Sequence, residues 1–320
     1  RARRFIAAVA VGAAALPLLG AGTFFALDRI YPLPPVGEVP VSAQVVDRDG
    51  RLLRAFATQE GRWRLPVSLG EVDPQFVRML VAYEDKRFRD HHGVDPVAML
   101  RASVQFAVNG RIVSGGSTLT MQLARLMEVG GGQSISVKLR QMFRALQIER
   151  KLTKDQILER YLTLAPYGGN IEGIRAASLA WFGKEPKKLR LSEAALLVSL
   201  PQSPETRRPD RNPDNAKQAR DRVLQRMADA GVIEPFEVAR ASAARLSGKR
   251  RGLPALAPHL ADAAMRARPE ADSIELTIDR DIQSSLETVA RNAVRRLGPK
   301  LSLAMILADS RTGEILAEVG

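Results

Sequence analysis

Three pairs of residues indicate where helices begin in the middle of this sequence. Each pair joins an Asp or Asn to a following proline: Asp73-Pro74, Asp95-Pro96 and Asn212-Pro213. A short polar side chain caps the N–H groups of a first helical turn, and proline is tolerated at the first helical position. Between Asp73 and Gly231 we therefore predict about seven helices and no strand, which makes this region a mainly α domain.

Strand patterns lie on both sides of the helical region. Before it, Ala43–Asp47 and Leu52–Ala57 flank Asp49-Gly50, a dipeptide typical of tight β-hairpins. After it, we predict two strands around a helix and then a final hairpin. These elements are Ser273–Ile278, the helix Asp281–Leu297, Ser302–Asp309, and Glu314–Val319 after the turn Thr312-Gly313.

The N-terminal stretch Phe5–Leu27 is uncharged and follows Arg1, Arg3 and Arg4. A run of about 23 such residues is long enough to cross a bilayer as a helix, and flanking arginines favour the cytoplasmic side. We expect a single-pass anchor in the inner (cytoplasmic) membrane, with the rest of the chain on the periplasmic side. A cleaved signal peptide is the alternative, although its apolar region is usually shorter.

Charge and composition narrow the classes of partner. The net charge of +13 and the sequence pI near 10.5 indicate an anionic partner. Aromatic residues make up only 5% of the chain, and no zinc-finger or RNA-binding pattern is present, so we expect no nucleic-acid partner. Anionic lipids or lipid pyrophosphates fit better. The sequence contains no cysteine, which excludes disulfide and thiol chemistry.

Two segments contain the residues best suited to chemistry. Glu84–Gly93 has the pattern E-D-x-x-F-x-x-H-x-G, and Gly115–Arg125 begins G-G-S-T-L-T-M-Q-L. In this order they resemble the first two signature motifs of the family-51 glycosyltransferases, the peptidoglycan polymerases of bifunctional (class A) penicillin-binding proteins, most closely the 1C branch. The resemblance covers roughly Val72–Gly231 and implies a lysozyme-like α fold.

The resemblance also implies a substrate and a division of roles. The substrate would be lipid II, whose disaccharide is added to a growing β-1,4 glycan strand. Such a transfer needs a base for the acceptor hydroxyl and positive charge for the departing diphosphate. The base would be Glu84. The expected donor-diphosphate residues are Ser117, Thr118, Gln122, Arg125, Lys138 and Gln141, and the residues expected to shape the site are Asp85, Phe88, His91, Gly93, Gly115 and Gly116.

The sequence departs from the family pattern at three positions. Arg125 stands where lysine is usual, Gln141 where glutamate is usual, and Thr163 where asparagine is usual. A neutral amide at Gln141 cannot supply the negative charge that Mg2+ or Mn2+ prefers in its ligands. The resemblance implies that Mg2+ or Mn2+ could be a cofactor. The neutral side chain of Gln141 argues against such an ion, and we assign no metal ligand.

Several alternatives remain open at the level of sequence. Glu84 and Asp85 could form a solvated helix end, and the G-G-S-T run could be a simple turn and cap. Six apolar residues before the second motif could touch a membrane or belong to the core: Val97, Met99, Leu100, Val104, Phe106 and Val108. A lytic transglycosylase or lysozyme-like hydrolase would also fit a single glutamate on a helical fold, and Gln141 and Thr163 permit a scaffold whose catalysis has decayed. The cations and the glycine-rich helix start favour a pyrophosphate donor.

We divide the chain into five regions. Residues 1–30 are the expected transmembrane anchor, 31–70 a Pro-rich stalk with the β-hairpin, 71–235 the glycosyltransferase domain, 236–272 a connector, and 273–320 the α+β beginning of a truncated transpeptidase domain. The 320 residues contain no Ser-x-x-Lys or Lys-Thr-Gly motif, so they lack the acylation chemistry of a transpeptidase.

Overall fold

A computed structural model describes residues 20, 22–34, 40–110, 116–128, 134–246, 248–298 and 302–320. In this part of the chain most residues lie in twelve α-helices. They are 22–30 (α1), Pro74–Glu84 (α2), Pro96–Asn109 (α3), Leu119–Met127 (α4), Ile135–Lys151 (α5), Lys154–Leu164 (α6), Ile174–Phe182 (α7), Leu191–Ser199 (α8), Pro213–Asp229 (α9), Pro235–Ala243 (α10), Pro258–Ala267 (α11) and Arg280–Leu297 (α12).

Seven short strands accompany these helices in the described residues. They are Gln44–Val46 (β1), Leu52–Ala55 (β2), Trp63–Arg64 (β3), Ile171–Glu172 (β4), Ser273–Glu275 (β5), Met305–Ala308 (β6) and Ile315–Val319 (β7). The chain forms two compact units. The first unit comprises Arg1–Val39 and Arg87–Leu158, and the second comprises Pro40–Lys86 and Glu159–Gly320.

The predicted helix starts are confirmed. The Asp73 carboxylate accepts a hydrogen bond from the Gln75 N–H, at 2.8 Å, and α2 follows with proline at its first position. Asp95 caps α3 in the same way, through the N–H groups of Val97 and Ala98. Because each cap satisfies N–H groups that the helix itself cannot, it fixes the residue at which the helix begins.

In the first unit, α4 packs on α5, and α5 also holds α1. The Asp28 carboxylate of α1 accepts hydrogen bonds from Gln147 (2.6 Å) and Arg150 (2.8 Å) of α5. The rings of Phe24 and Phe143 meet at 5.5 Å between centroids. Two polar contacts and an aromatic contact therefore attach α1 to one face of α5.

In the second unit, α2 packs on α8 and α9, and α10 packs on α9. The residues that α2 buries are Phe76, Met79 and Leu80. By helical spacing Val77 and Val81 share an apolar face with Leu80, but both valines are only half-buried. The larger Phe76 and Met79 side chains remove more apolar surface from water, and this sets which face of α2 turns inward.

The strands pair over long distances in sequence. The predicted hairpin is confirmed, since β1 and β2 are antiparallel, and β1 also pairs in parallel with β5. Strands β6 and β7 form the predicted C-terminal hairpin, which packs on α12. The expectation of no strand between Asp73 and Gly231 is wrong, because β4 lies there and pairs in parallel with β3.

No helix in the described residues is long and apolar enough to cross a membrane. Of the predicted anchor Phe5–Leu27, residues 5–19 and 21 lie outside the described part of the chain.

A buried carboxylate connects the β1–β2 turn to the start of α12. Asp47 is inaccessible to solvent and accepts hydrogen bonds from the N–H groups of Asp49, Arg51 and Arg280 and from the Arg51 guanidinium. Burial alone would raise the pKa of Asp47, but these donors outweigh it, led by the Arg51 N–H, and hold the pKa below its ordinary value. Asp47 is therefore charged and fully bonded at neutral pH.

We expect Asp47→Ala to lower the free energy of unfolding by about 2–3 kcal/mol, because several donors lose a buried charged acceptor. Asp49→Ala is the matched control, since the exposed Asp49 carboxylate makes only a surface ion pair with Arg51 at 3.3 Å. Urea denaturation at pH 7 measures both. The pKa of Asp47 is lowered by folding, so its contribution is present above the unfolded pKa and is lost as pH falls through the folded pKa. Equal losses in the two variants would contradict this role.

Candidate active site

Glu84 is the last residue of α2, and Asp85 is the C-cap of that helix. Glu84 is half-buried and its Oε1 accepts a hydrogen bond of 2.8 Å from the Gln202 side-chain amide. Asp85 is buried, and its N–H donates to the Val81 carbonyl oxygen at 2.9 Å. The two adjacent carboxylates thus occupy different environments, so Glu84 and Asp85 do not form a simple solvated helix end.

Tyr167 and Arg207 belong to the surroundings of Glu84 in the second unit. Tyr167 is fully buried, and burial, with a further contribution from the Glu84 charge, raises its pKa far above the ordinary value. Its phenol therefore stays neutral. Burial also lowers the pKa of Arg207. The negative charge of Glu84 acts in the opposite direction and favours the charged guanidinium. No periodic pattern in the sequence marks Gln202, Tyr167 or Arg207 as site residues.

The other motif residues belong to the first unit, where Lys154 organises the loop that follows α2. Its Nζ donates hydrogen bonds to the His91 carbonyl oxygen (2.6 Å) and to Glu149 Oε1 (2.7 Å). The same ammonium lies 4.6 Å from the centroid of the buried Phe88 ring. His91 is also buried, with its ring 6.4 Å from that of Phe88. One cation therefore contacts two of the site-shaping residues of the loop, Phe88 and His91.

Gly93 brings this loop against the backbone of α5. Its φ is +90°, and an added Cβ would lie 2.7 Å from the Ala145 carbonyl oxygen. Its own carbonyl accepts a hydrogen bond of 2.6 Å from the Thr118 hydroxyl. A side chain at position 93 would meet both a conformational penalty and a backbone clash, so the approach of loop to helix requires glycine.

The start of α4 lies where the glycine-rich motif predicts it. Thr118 is the N-cap, and its buried hydroxyl accepts from the Met121 N–H (3.1 Å) while donating to Gly93. Thr118 therefore joins the first motif to the second through its own side chain. Ser117 is half-buried, and an added Cβ at Gly116 would lie 3.3 Å from Met99 of α3. Gly115 lies outside the described residues.

The remaining predicted diphosphate residues lie on the packed pair α4 and α5. On α4, Gln122 is half-buried and Arg125 is exposed, while the opposite face is buried. On α5, Lys138 is exposed and Gln141 is half-buried. Two exposed cations thus lie on neighbouring helices of one unit, where an anion could be bound.

Glu149 is a buried carboxylate that connects these helices. Its Oε1 accepts from the Thr120 hydroxyl of α4 at 2.6 Å and from Lys154 of α6 at 2.7 Å. Glu149 follows Gln141 on α5 at a distance of about 12 Å along the helix axis, so it cannot take the place of a glutamate at position 141. The capping motif Thr153–Gln156 at the start of α6 could have signalled the role of Lys154, because it fixes the helix register.

A family model described as Transglycosylase matches residues 49–228. The chain belongs to this family. The resemblance to the glycosyltransferase domain of class A penicillin-binding proteins is thereby confirmed.

Two curated relatives of this chain come from Escherichia coli (strain K12). Penicillin-binding protein 1C is 42% identical over 307 residues, which are 96% of this chain and 40% of that protein. Penicillin-binding protein 1A is 34% identical over 295 residues, 87% of this chain and 34% of that protein. The chain therefore spans two fifths or less of the length of these relatives. The crystal structure of penicillin-binding protein 1A from Haemophilus influenzae matches 86% of this chain and 36% of that chain, with 19% identity and a TM-score of 0.39.

Gln141 supplies a neutral amide where a divalent metal ion would prefer a carboxylate. No group of three or more His, Asp or Glu residues that could hold a metal ion occurs in the part of the chain that the structure describes. Glu128, at the C-cap of α4, pairs with Arg144 of α5 at 3.1 Å. That carboxylate is already neutralised by a cation, and Gln141 adds no charge.

One face of α3 is apolar and exposed. Val97, Leu100, Val104 and Val108 are each more than half exposed. They are therefore not core residues, which answers one alternative that the sequence left open. The side chain of Phe106 lies outside the described part. An exposed apolar stripe of this kind marks a surface for a membrane or another apolar partner.

We expect Gly93→Ala to lower the free energy of unfolding by more than about 2 kcal/mol, since it combines a positive φ with a backbone clash. Gly110→Ala is the matched control: Gly110 also has a positive φ, +64°, but an added Cβ there meets no atom within 4 Å. Thermal denaturation followed by circular dichroism compares them. Equal destabilisation would show that the close approach to Ala145 is unimportant.

Proposed function

We propose that this chain is a peptidoglycan glycosyltransferase that polymerises lipid II into β-1,4-linked glycan strands and releases undecaprenyl pyrophosphate. The observation that carries the proposal is the half-buried carboxylate of Glu84 at the end of α2, within the residues matched by the Transglycosylase model. The growing strand and lipid II would be its partners. The chain would act in peptidoglycan synthesis.

In the proposed reaction, Glu84 removes the proton of the acceptor sugar hydroxyl as that oxygen attacks the anomeric carbon of the donor. The new C–O bond forms as the bond from the anomeric carbon to the diphosphate oxygen breaks, and the bonding electrons leave with the diphosphate. Attack from the face opposite the leaving group inverts an α-linked donor to a β-linked product. The proton ends on the Glu84 carboxyl.

The leaving diphosphate needs positive charge, which Arg125 and Lys138 would supply. Both are exposed, on the packed helices α4 and α5. Ser117, Gln122 and Gln141 would add hydrogen bonds. Thr118 would act indirectly, because its hydroxyl is already used in the cap and in the bond to Gly93. Arginine at position 125 can bind two phosphate oxygens at once, unlike lysine.

Membrane attachment is part of the proposal. The uncharged stretch Phe5–Leu27 with its preceding arginines would anchor the chain in the inner membrane. The glycosyltransferase domain, residues 71–235, would face the periplasm, and the apolar face of α3 would meet the bilayer in which lipid II resides. Residues 273–320, with the strands β5, β6 and β7 around α12, would begin a transpeptidase domain.

We expect Glu84→Gln to reduce polymerisation of lipid II at least about a hundredfold, because a neutral amide cannot accept the acceptor proton. Glu60→Gln, at an exposed carboxylate in the same unit, is the control and should remain fully active. Gel separation of glycan products measures both. A folded Glu84→Gln variant with normal chain growth would refute the assignment of the base. If the wild-type protein shortened preformed glycan strands, it would be a hydrolase. If the wild-type protein neither extended nor shortened strands, it would be a scaffold.

A further expectation concerns Mg2+ or Mn2+. Because Gln141 is neutral, Arg125 and Lys138 should neutralise the negative charge of the donor diphosphate. Polymerisation should therefore persist in the presence of a chelator. Arg125→Ala should lose most activity without rescue by magnesium, whereas Gln141→Glu should make activity more responsive to added metal. Complete loss of wild-type activity in chelator, restored by either ion, would contradict this account.

A further inference from the structure

The side chain of Gln202 makes a direct contact with the proposed base. Gln202 ends the 3-10 turn Leu200–Gln202, which continues from the C-terminal end of α8. Its Nε2 donates a hydrogen bond of 2.8 Å to Glu84 Oε1, across 118 positions of sequence within the second unit. A donor to a carboxylate oxygen restricts rotation of the carboxylate, and so sets the direction in which both its oxygens point.

Arg207 fixes which end of the Gln202 amide faces Glu84. One guanidinium nitrogen of Arg207 donates to Gln202 Oε1 at 3.2 Å and to the Ser199 carbonyl oxygen at 2.6 Å. A guanidinium has only donors, so the amide oxygen must face Arg207. The amide nitrogen is then left to face Glu84. The bond to Ser199 in turn anchors Arg207 to the end of α8.

Packing does not explain this arrangement, because Gln202 is exposed. A long exposed side chain loses rotamer freedom when it is held at both ends of its amide. The contacts converge on a residue with a chemical task, Glu84. A structural role would instead place the amide in the interior, where an unsatisfied partner is most destabilising.

We propose that Gln202 is a positioning residue that orients the Glu84 carboxylate for proton removal, and that Arg207 acts through Gln202 by fixing its amide. This inference rests on the proposed function. It predicts that loss of the Gln202 donor lowers the rate of the chemical step and leaves lipid II binding nearly unchanged, since neither contact requires the substrate.

The decisive variant is Gln202→Glu, in the complete 320-residue chain. Glutamate keeps the length of the side chain and an oxygen that Arg207 can bond, but it replaces the N–H donor to Glu84 with a second negative charge. We expect kcat for lipid II polymerisation to fall at least about tenfold with KM changed less than about threefold. Gln202→Leu, which removes both contacts and adds no charge, should also lose at least about tenfold in kcat, so that the loss follows from the missing donor and not from an added charge. Wild-type kcat in either variant would overturn the proposal, as would a loss confined to KM.

Gln225→Leu is the matched control. The Gln225 amide also donates to a carboxylate, Asp229, at 2.9 Å on the exposed surface of α9. Its removal should leave kcat and KM unchanged, and circular dichroism should show equal melting temperatures for all variants. A similar kcat loss in Gln225→Leu would overturn the assignment of a special role to Gln202.

A double-mutant cycle tests the role of Arg207. Arg207→Met should lower kcat, but Gln202→Leu combined with Arg207→Met should be no slower than Gln202→Leu alone, because Arg207 acts through the amide. Additive losses would overturn that part of the proposal. Failure of the proposed function is distinguishable: an inactive wild type, or a fully active Glu84→Gln variant, would refute the function itself, whereas full activity in Gln202→Glu alone refutes only the positioning role.

Discussion

The partly buried ion pair between Glu149 and Lys154 is the interaction on which the first unit depends most. Glu149 also accepts from Thr120, and Lys154 also bonds the His91 carbonyl and faces the Phe88 ring, so the pair connects α4, α5, α6 and the motif loop. Burying two charges is unfavourable unless each finds further partners. Here each charge has at least one further partner. The pair is therefore fixed by the motif loop and the helices, and it joins them to one another.

Much of this fold could be predicted because the signals are local. The caps Asp73 and Asp95 and the turn Asp49-Gly50 act within a few residues, and the structure has them as predicted. The pairing of β3 with β4 could not be predicted, because two-residue strands have no periodicity to detect. The inward face of α2 could be predicted only in part. Periodicity alone does not favour Phe76 and Met79 over Val77 and Val81 as the buried residues.

The candidate site divides in the same way. Glu84, Thr118 and Gly93 belong to continuous motifs, and their neighbours in sequence indicate a helix end, a helix start and a tight loop. Gln202 contacts Glu84 only through tertiary structure, and Arg207 bonds Gln202, so no spacing in the sequence relates either residue to the proposed base. The double use of the Thr118 hydroxyl was also hidden, since its second partner, Gly93, lies 25 residues earlier.

The place of β1 in its sheet has a consequence for synthesis of the chain. Strand β1 lies between β2, which follows it after a short turn, and β5, which ends at Glu275. The hairpin can form early, but one edge of β1 lacks its neighbour until the chain has been made as far as Glu275. An unpaired edge is a site for wrong strand pairing, and distant pairing slows folding. As the chain is synthesised from its N-terminus, one edge of β1 would therefore stay unpaired until β5 has been made.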